Sequence, residues 1–227
     1  MTAYLVPIPT LRYNGMTLQF STDRLTIRPA EERDVIWGAD LMFSAGSGLF
    51  GYVFASTPEK SVDILRQAFG EPGHAFSYEF AQIVEVDDRL AGIVLSYPGD
   101  VKRHAEENIQ GIMAKILPLH RVPRILVNLA DLSRIKQDVK AEMYFILSLC
   151  IAPEYRDRGL GTALLNDTEL TAKESGCTGM ALDIAYTNTR AQRLFDRQGY
   201  QITCSKTSQR FGSMTEAGGL HRMEKPL

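Results

Sequence analysis

Apolar and polar positions recur with two periods along the chain. Leu25-Thr26-Ile27-Arg28 alternates as a half-buried strand does, and Pro29 ends it. Asp34 to Phe43 reads as a helix, and Ser44-Ala45-Gly46-Ser47-Gly48 as a breaker-rich connection or a flexible lid. Thr57-Pro58-Glu59 opens a second helix, with Thr57 as its cap and Pro58 at its first position; it runs to Phe69 before Gly70 and Pro72 close it. Phe80–Val86 and Leu90–Tyr97 form two strands joined at Asp87-Asp88, a hairpin by pattern. The run Phe145-Ile146-Leu147-Ser148-Leu149-Cys150-Ile151 is nearly all apolar and fits a central strand covered on both faces.

From there strand and helix alternate. A helix is expected over Gly159–Ser175, with Leu160, Ala163, Leu164 and Leu170 on its apolar face. A strand over Met180–Tyr186 follows, then a helix over Asn188–Gln198 that buries Ala191, Leu194 and Phe195. Tyr200–Ser208 and Leu220–Lys225 supply two closing strands. Between the third and fourth strands, Lys102–Leu117 and Val122–Lys140 read as helices interrupted by Pro118 and Pro123, and residues 98–141 form a helical insertion. Residues 1–20, with prolines and aromatics and little periodicity, read as an N-terminal extension packed on the same domain. The expected class is therefore α/β (α+β): a mixed central sheet flanked by helices, in one domain over residues 1–227.

Composition narrows the function without naming it. Hydrophobic residues make up 44% and charged residues 23% of the chain, an ordinary globular balance that needs no metal or disulfide to form a core. The net charge of −2 gives no global field for nucleic acid or an anionic membrane, and Arg121 with Arg124 is a small local patch that reads as a solvated face. No apolar run approaches the roughly 20 residues that span a bilayer, and the first residues lack the pattern of a secretory leader. Cys150, Cys177 and Cys204 are odd in number and form no CxxC, which suits reduced thiols and a cytoplasmic location.

The stretch that carries chemistry is Leu149 to Thr162. A buried strand ends, a short loop brings Arg156, Asp157 and Arg158, and Gly159 and Gly161 bracket Leu160 at the start of a helix. The first turn of a helix has amides without intrahelical partners and carries about half a positive charge. Glycines let a diphosphate approach that backbone, and arginines add directed donors. No G-K-[ST] follows, so this is not a P-loop, and a third glycine is missing for a dinucleotide fingerprint.

Arg156-x-x-Gly159-x-Gly161, after an apolar strand and Pro153, resembles the acyl-CoA signature of the GNAT superfamily of N-acetyltransferases. Asn188-x-x-Ala191-x-x-Leu194-Phe195-x-x-x-Gly199-Tyr200 resembles that family's second late motif, and His221–Lys225 and Leu25–Asp34 resemble its last and first strands. The resemblance covers roughly residues 24–97 and 142–227. It implies two parallel strands, Tyr144–Ile151 and Met180–Tyr186, that splay to admit pantetheine along Leu149, Cys150 and Ile151. It also implies a diphosphate on the amides of Asp157 to Thr162, and Asn188 and Phe195 beside the arm.

The implied reaction is acyl transfer from acetyl-CoA, as co-substrate and without a metal, to a primary amine. An alkylamine with a pKa near ~10.4 must lose a proton before it attacks, and a carboxylate serves as general base. Glu142, at the head of the central strand, is the candidate, with Glu79 and Asp183 as alternatives. The family's proton-donating tyrosine is replaced here by Phe195, and Tyr144 or Tyr186 is the stand-in. That replacement also keeps open a non-catalytic acyl-CoA sensor, and the glycine loop alone keeps open an unrelated phosphate-binding enzyme. The aliphatic content of the insertion, from Ile109 to Leu129, is expected to shape the acceptor side, cover a core or form a homodimer contact.

Overall fold

A computed structural model describes residues 24–117 and 119–227. The expected extension over residues 1–20 lies outside them. Seven strands follow in chain order: β1 (Leu25–Pro29), β2 (Ala81–Val86), β3 (Arg89–Pro98), β4 (Met143–Ile151), β5 (Gly179–Ala185), β6 (Gln201–Lys206) and β7 (Leu220–Pro226). They form one sheet in the order β1-β2-β3-β4-β5-β7-β6, in which the β4–β5 contact is parallel and the others are antiparallel. The helices are α1 (Val35–Ala45), α2 (Ser47–Phe54), α3 (Pro58–Phe69), α4 (Gly99–Ile116), α5 (Val122–Ser133), α6 (Leu160–Glu174), α7 (Thr189–Arg197) and α8 (Gln209–Met214).

Alternation along the strands divides the core. Val84, Val94, Ile146, Leu182 and Ile184 pack with Leu160, Leu164 and Leu165 of α6 and with Phe195 of α7. Ile83, Ile93, Leu95 and Cys150 face the other way, onto Leu41 and Met42 of α1 and Leu65 and Phe69 of α3. Leu164 and Leu165 are fully buried, each contributing about 1.5–3 kcal/mol that fixes the position of α6. Leu170, expected on that buried face, is instead 58% exposed; Thr168 and Ala172 take the inner positions.

Two helices depart from the expected pattern. Residues 44–48 are a junction rather than a loop: α1 runs to Ala45, and α2 starts at Ser47 after a single break at Gly46. Phe50, Tyr52 and Phe54 are buried there, and this packing outweighs the poor helix propensity of Gly48 and Gly51. The short α8 interrupts the closing strands, capped by Ser208 Oγ, which accepts from the Phe211 amide. Thr57 does occupy the N-cap of α3, but its side chain makes no cap hydrogen bond.

The insertion is α4 and α5, and it ends earlier than its sequence pattern predicts. After Ser133 the chain leaves the helix, and the carbonyls of Gln137 and Asp138 accept from Arg222 of β7 at 2.9 and 3.1 Å. Polar contacts seat α5 elsewhere. Asp131 Oδ2 accepts from Tyr52 Oη at 2.8 Å and Ser208 Oγ at 2.6 Å, and Asn128 Nδ2 donates to the Tyr52 carbonyl at 2.6 Å. Burial alone would raise the Asp131 carboxyl; the two hydroxyl donors outweigh it and hold it below its ordinary pKa. Ile125 and Leu132 turn inward, whereas Leu126, Val127 and Leu129 stay exposed.

Edge strand β1 is held by Arg28, whose Nη1 and Nη2 donate to Asp34 at 2.7 and 3.0 Å while Nε and Nη2 reach Glu85 at 3.0 and 2.7 Å. Burial would raise the Asp34 carboxyl, but the bonds from Arg28 and the Glu31 amide prevail and lower it. A depressed folded pKa stabilises the protein above the unfolded value and is lost as pH falls through the folded one. Asp34→Asn should therefore cost about 2 kcal/mol at neutral pH in urea denaturation, and the gap to wild type should start to narrow near about pH 4 and go on shrinking as pH falls through the lowered folded pKa. Tyr52→Phe, which leaves Asp131 with one hydroxyl donor, should cost about 1 kcal/mol by the same measurement.

Candidate functional site

The site begins where β4 and β5 part. They pair from Met143↔Gly179 to Ile146↔Leu182 and no further, although β4 continues to Ile151 and β5 to Ala185. The cause lies on the other side of β4. Leu95 pairs with Ser148 and Ser96 with Ile146, so Leu147 is an extra residue, a bulge of the kind that bends and twists a strand. Beyond it Leu149, Cys150 and Ile151 keep their β3 partners Val94, Ile93 and Gly92, while among the described residues no strand pairs with their other edge. A cleft of ≈ 1710 Å³ opens there, bounded by the α1–α2 junction, α5, the start of α6 and α7. Drug-sized pockets commonly measure about 300–1,000 Å³, so this one has room for two substrates.

After β4, a turn over Pro153–Tyr155 leads into the arginine loop. Arg156 Nε donates to the Ile151 carbonyl at 2.9 Å, bracing the loop against the strand end and leaving its terminal amino groups for a ligand. Asp157 adopts a left-handed φ of 61°, and its carboxylate accepts from Arg190 Nη2 at 2.8 Å. The Arg158 guanidinium lies 5.6 Å from the centre of the Tyr155 ring. Gly159 has φ 82° and caps α6; a Cβ there would meet nothing within 4 Å, so backbone conformation alone calls for glycine. Gly161 answers to space instead: a Cβ would come 3.2 Å from Leu194 Cδ2, where α6 and α7 pack closely.

Among the described residues no side chain caps α6, and its first backbone bond runs from the Ala163 amide to the Gly159 carbonyl at 3.0 Å. The amides of Leu160, Gly161 and Thr162 thus have no intrahelical partner, and the three residues line the cleft with the positive end of the helix behind them. α7 contrasts with this. Asn188 Oδ1 accepts from the Ala191 amide at 3.2 Å, closing that helix while lining the cleft. Arg190, Arg193 and Arg197 of α7 line it as well, a basic face that the sequence reading passed over although its i, i+3, i+7 spacing was visible. Phe195 is 5% exposed and packs edge-on to Tyr200 with ring centres 5.4 Å apart.

The structure separates the two expected catalytic residues from this cleft. Glu142 is exposed in the turn before β4, its carbonyl accepting from the Thr178 amide at 2.8 Å. It lies four residues on the zipped side of Ile146, roughly 13 Å along the strand. Tyr144 is buried within the paired segment opposite Met180, where burial raises its pKa against the effect of the Ser96 hydroxyl. Heading the strand put both residues at its closed end. Glu79 is tied by the Gly73 amide at 2.7 Å on the loop before β2 and does not reach the cleft. Tyr186 stacks on His221 with ring centres 4.2 Å apart.

Asp183 does line the cleft, one residue past the last β4–β5 pair. Arg222 holds it through Nε at 2.6 Å and Nη2 at 3.0 Å. Glu106 of α4, paired with Lys102 at 2.8 Å, and Tyr97 and Ser148 also line it and were not singled out from sequence. Ser148 left one signal, as the only hydroxyl in an otherwise apolar run. Cys150 lines the cleft too, its thiol pKa raised by burial against the pull of Ser44 and Arg156.

Solved structures share this architecture. An N-acetyltransferase from Staphylococcus aureus Mu50 aligns over 88% of this chain and 99% of its own with a TM-score of 0.67 at 18% identity. A GCN5-related N-acetyltransferase from Kribbella flavida aligns over 89% and 98% with a TM-score of 0.53 at 22% identity. The PaiA N-acetyltransferase from Thermoplasma acidophilum, solved in complex with coenzyme A, aligns over 89% and 99% with a TM-score of 0.50 at 14% identity. No curated protein sequence matches this one. The family model described as the acetyltransferase (GNAT) family matches residues 49–200, more than half of the chain and all of the fork, the arginine loop and the Asn188 helix. The chain belongs to the GNAT family of acetyltransferases.

Proposed function

We propose that this protein transfers an acetyl group from acetyl-CoA to a primary amine by direct attack, with both substrates held in the one cleft. The fork between β4 and β5 carries the reading, because it joins an uncapped helix end to an unpaired strand edge. A diphosphate fits the Leu160–Thr162 amides, with Arg156 and the α7 arginines contributing charge. The amide-rich pantetheine arm suits the free edge of Leu149–Ile151, as an added strand would. The acceptor enters from the side of the α1–α2 junction and the insertion.

Asp183 takes the role first expected of Glu142. Each carboxylate oxygen has two lone pairs, and Arg222 uses one on each, which leaves room for an acceptor ammonium or its water. Attack forms a C–N bond, the amine proton passes to the carboxylate or solvent, and the C–S bond breaks with its electron pair on sulfur. A thiol of pKa about 8.5 is a tolerable leaving group as the thiolate, so Phe195 is compatible with turnover. Phe195 also favours a second reading, a module that binds acyl-CoA without transferring the group.

Incubation with acetyl-CoA and a panel of amines, followed by free thiol, separates the two. Thiol release with at least one amine is the expected result, and tight binding without release on any amine would favour the sensor. Gly161→Asp places a negative charge against the diphosphate and should weaken CoA binding by about two orders of magnitude in calorimetry. Gly161→Ala, which only crowds Leu194, should lose far less.

A further inference from the structure

Five buried side-chain atoms lack a hydrogen-bond partner among the described residues, and two of their residues, Tyr97 and Ser148, line the cleft. A buried hydroxyl without a partner is costly, and such a group in a folded protein calls for an explanation. The two differ in position. Tyr97 pairs with Phe145, on the zipped side of the bulge, and packs between Phe80 and Phe145 at 5.4 and 6.1 Å. Ser148 is the first β4 residue past the bulge and past the last β5 partner, Ile146↔Leu182. It is 6% exposed, and its pairing with Leu95 places it on the sheet face of Leu95 and Cys150, opposite Leu149 and Ile151.

We infer that Ser148 Oγ donates a hydrogen bond to the carbonyl oxygen of the bound thioester, making Ser148 a catalytic residue of this site. The inference rests on the acyl-CoA reading given above. An arm that starts at the Leu160–Thr162 amides and follows the free edge of β4 back through Ile151 and Leu149 must stop where β4 and β5 close at Ile146. From Ile151 to Ser148 is about 10 Å of strand, and Ser148 is the last side-chain donor before the closure. The thioester therefore comes to rest beside it. As the amine adds, negative charge gathers on the carbonyl oxygen, and a donor held beside it binds the transition state more strongly than the ground state. Ser148 keeps its proton throughout; the electron pair on oxygen returns as the thiolate leaves.

The test compares acetyl-CoA with S-ethyl-CoA, a thioether of similar shape that lacks the carbonyl oxygen, by calorimetry on wild type and Ser148→Ala. Wild type should prefer acetyl-CoA by about three- to tenfold, the worth of one neutral hydrogen bond. Ser148→Ala should erase that preference while leaving S-ethyl-CoA affinity and the melting temperature as they were, because the hydroxyl bonds no protein group among the described residues. With an amine that supports thiol release, its turnover should fall by about a hundredfold at unchanged affinity for S-ethyl-CoA. Ser148→Cys, a weaker donor of similar size, should fall between the two. A preference that survives in Ser148→Ala, equal weakening of both ligands, or no preference in wild type would overturn the role of Ser148 alone. Failure of wild type to bind either ligand would instead remove the acyl-CoA reading, and this inference with it.

Discussion

One mismatch in strand pairing governs the molecule's usefulness. β4 carries one more residue than β3 across the Leu147 bulge, and its contact with β5 ends there. Had the two strands stayed paired to their ends, the sheet would be more continuous, and the helix end at Gly159 would face a closed wall. Parting them leaves several backbone donors and acceptors without a strand partner in the middle of a sheet, an arrangement that normally selects against itself. It persists because the flanks are independently anchored. β4 stays paired with β3 on both sides of the bulge, and β5 is paired along its whole length with β7.

The insertion answers a different need. The sheet and α6 and α7 provide the wall on which a long anionic ligand can lie, but the opposite wall has to come from elsewhere. α2, α4 and α5 supply it, and a polar network ties α2 and α5 to α8: Tyr52, Asn128, Asp131, Ser208 and Arg210 bond to one another across these three elements. A network of this kind gains its strength from being complete, since each member would be costly to bury alone. It sets orientation more sharply than apolar contact would, and orientation of the two substrates is what the proposed direct transfer would need most.

Much of this was visible in the chain. The order of strands and helices follows from period, and the Arg156–Gly161 and Asn188–Tyr200 segments carry their own chemistry: one leaves a helix end bare, the other closes it with Asn188. What stayed hidden depends on partners distant in sequence. The run from Phe145 to Ile151 looks like uninterrupted strand, and only the register against β3 reveals the surplus residue. Glu142 looked suitable because it heads the central strand, yet the strand's direction places its head at the closed end. The helix α2 was obscured by its glycines, since the burial of Phe50 and Phe54 is a property of the assembled core. Arg222 stood in a motif-like tail with no hint that it would hold the chain that follows α5.

That last residue has a wider consequence. Arg222 grips Asp183 through Nε and Nη2 and reaches the Gln137 and Asp138 carbonyls through Nη2 and Nη1, while its guanidinium carbon lies 5.6 Å from the centre of the Phe145 ring. The acidic group that lines the cleft beside the last β4–β5 pair and the exit of the inserted helices therefore share a single rivet. Anyone re-engineering the acceptor range by transplanting a foreign segment between β3 and β4 would inherit this constraint. A graft that fails to present two carbonyls at the same spot would release the guanidinium, and the carboxylate would drift with it.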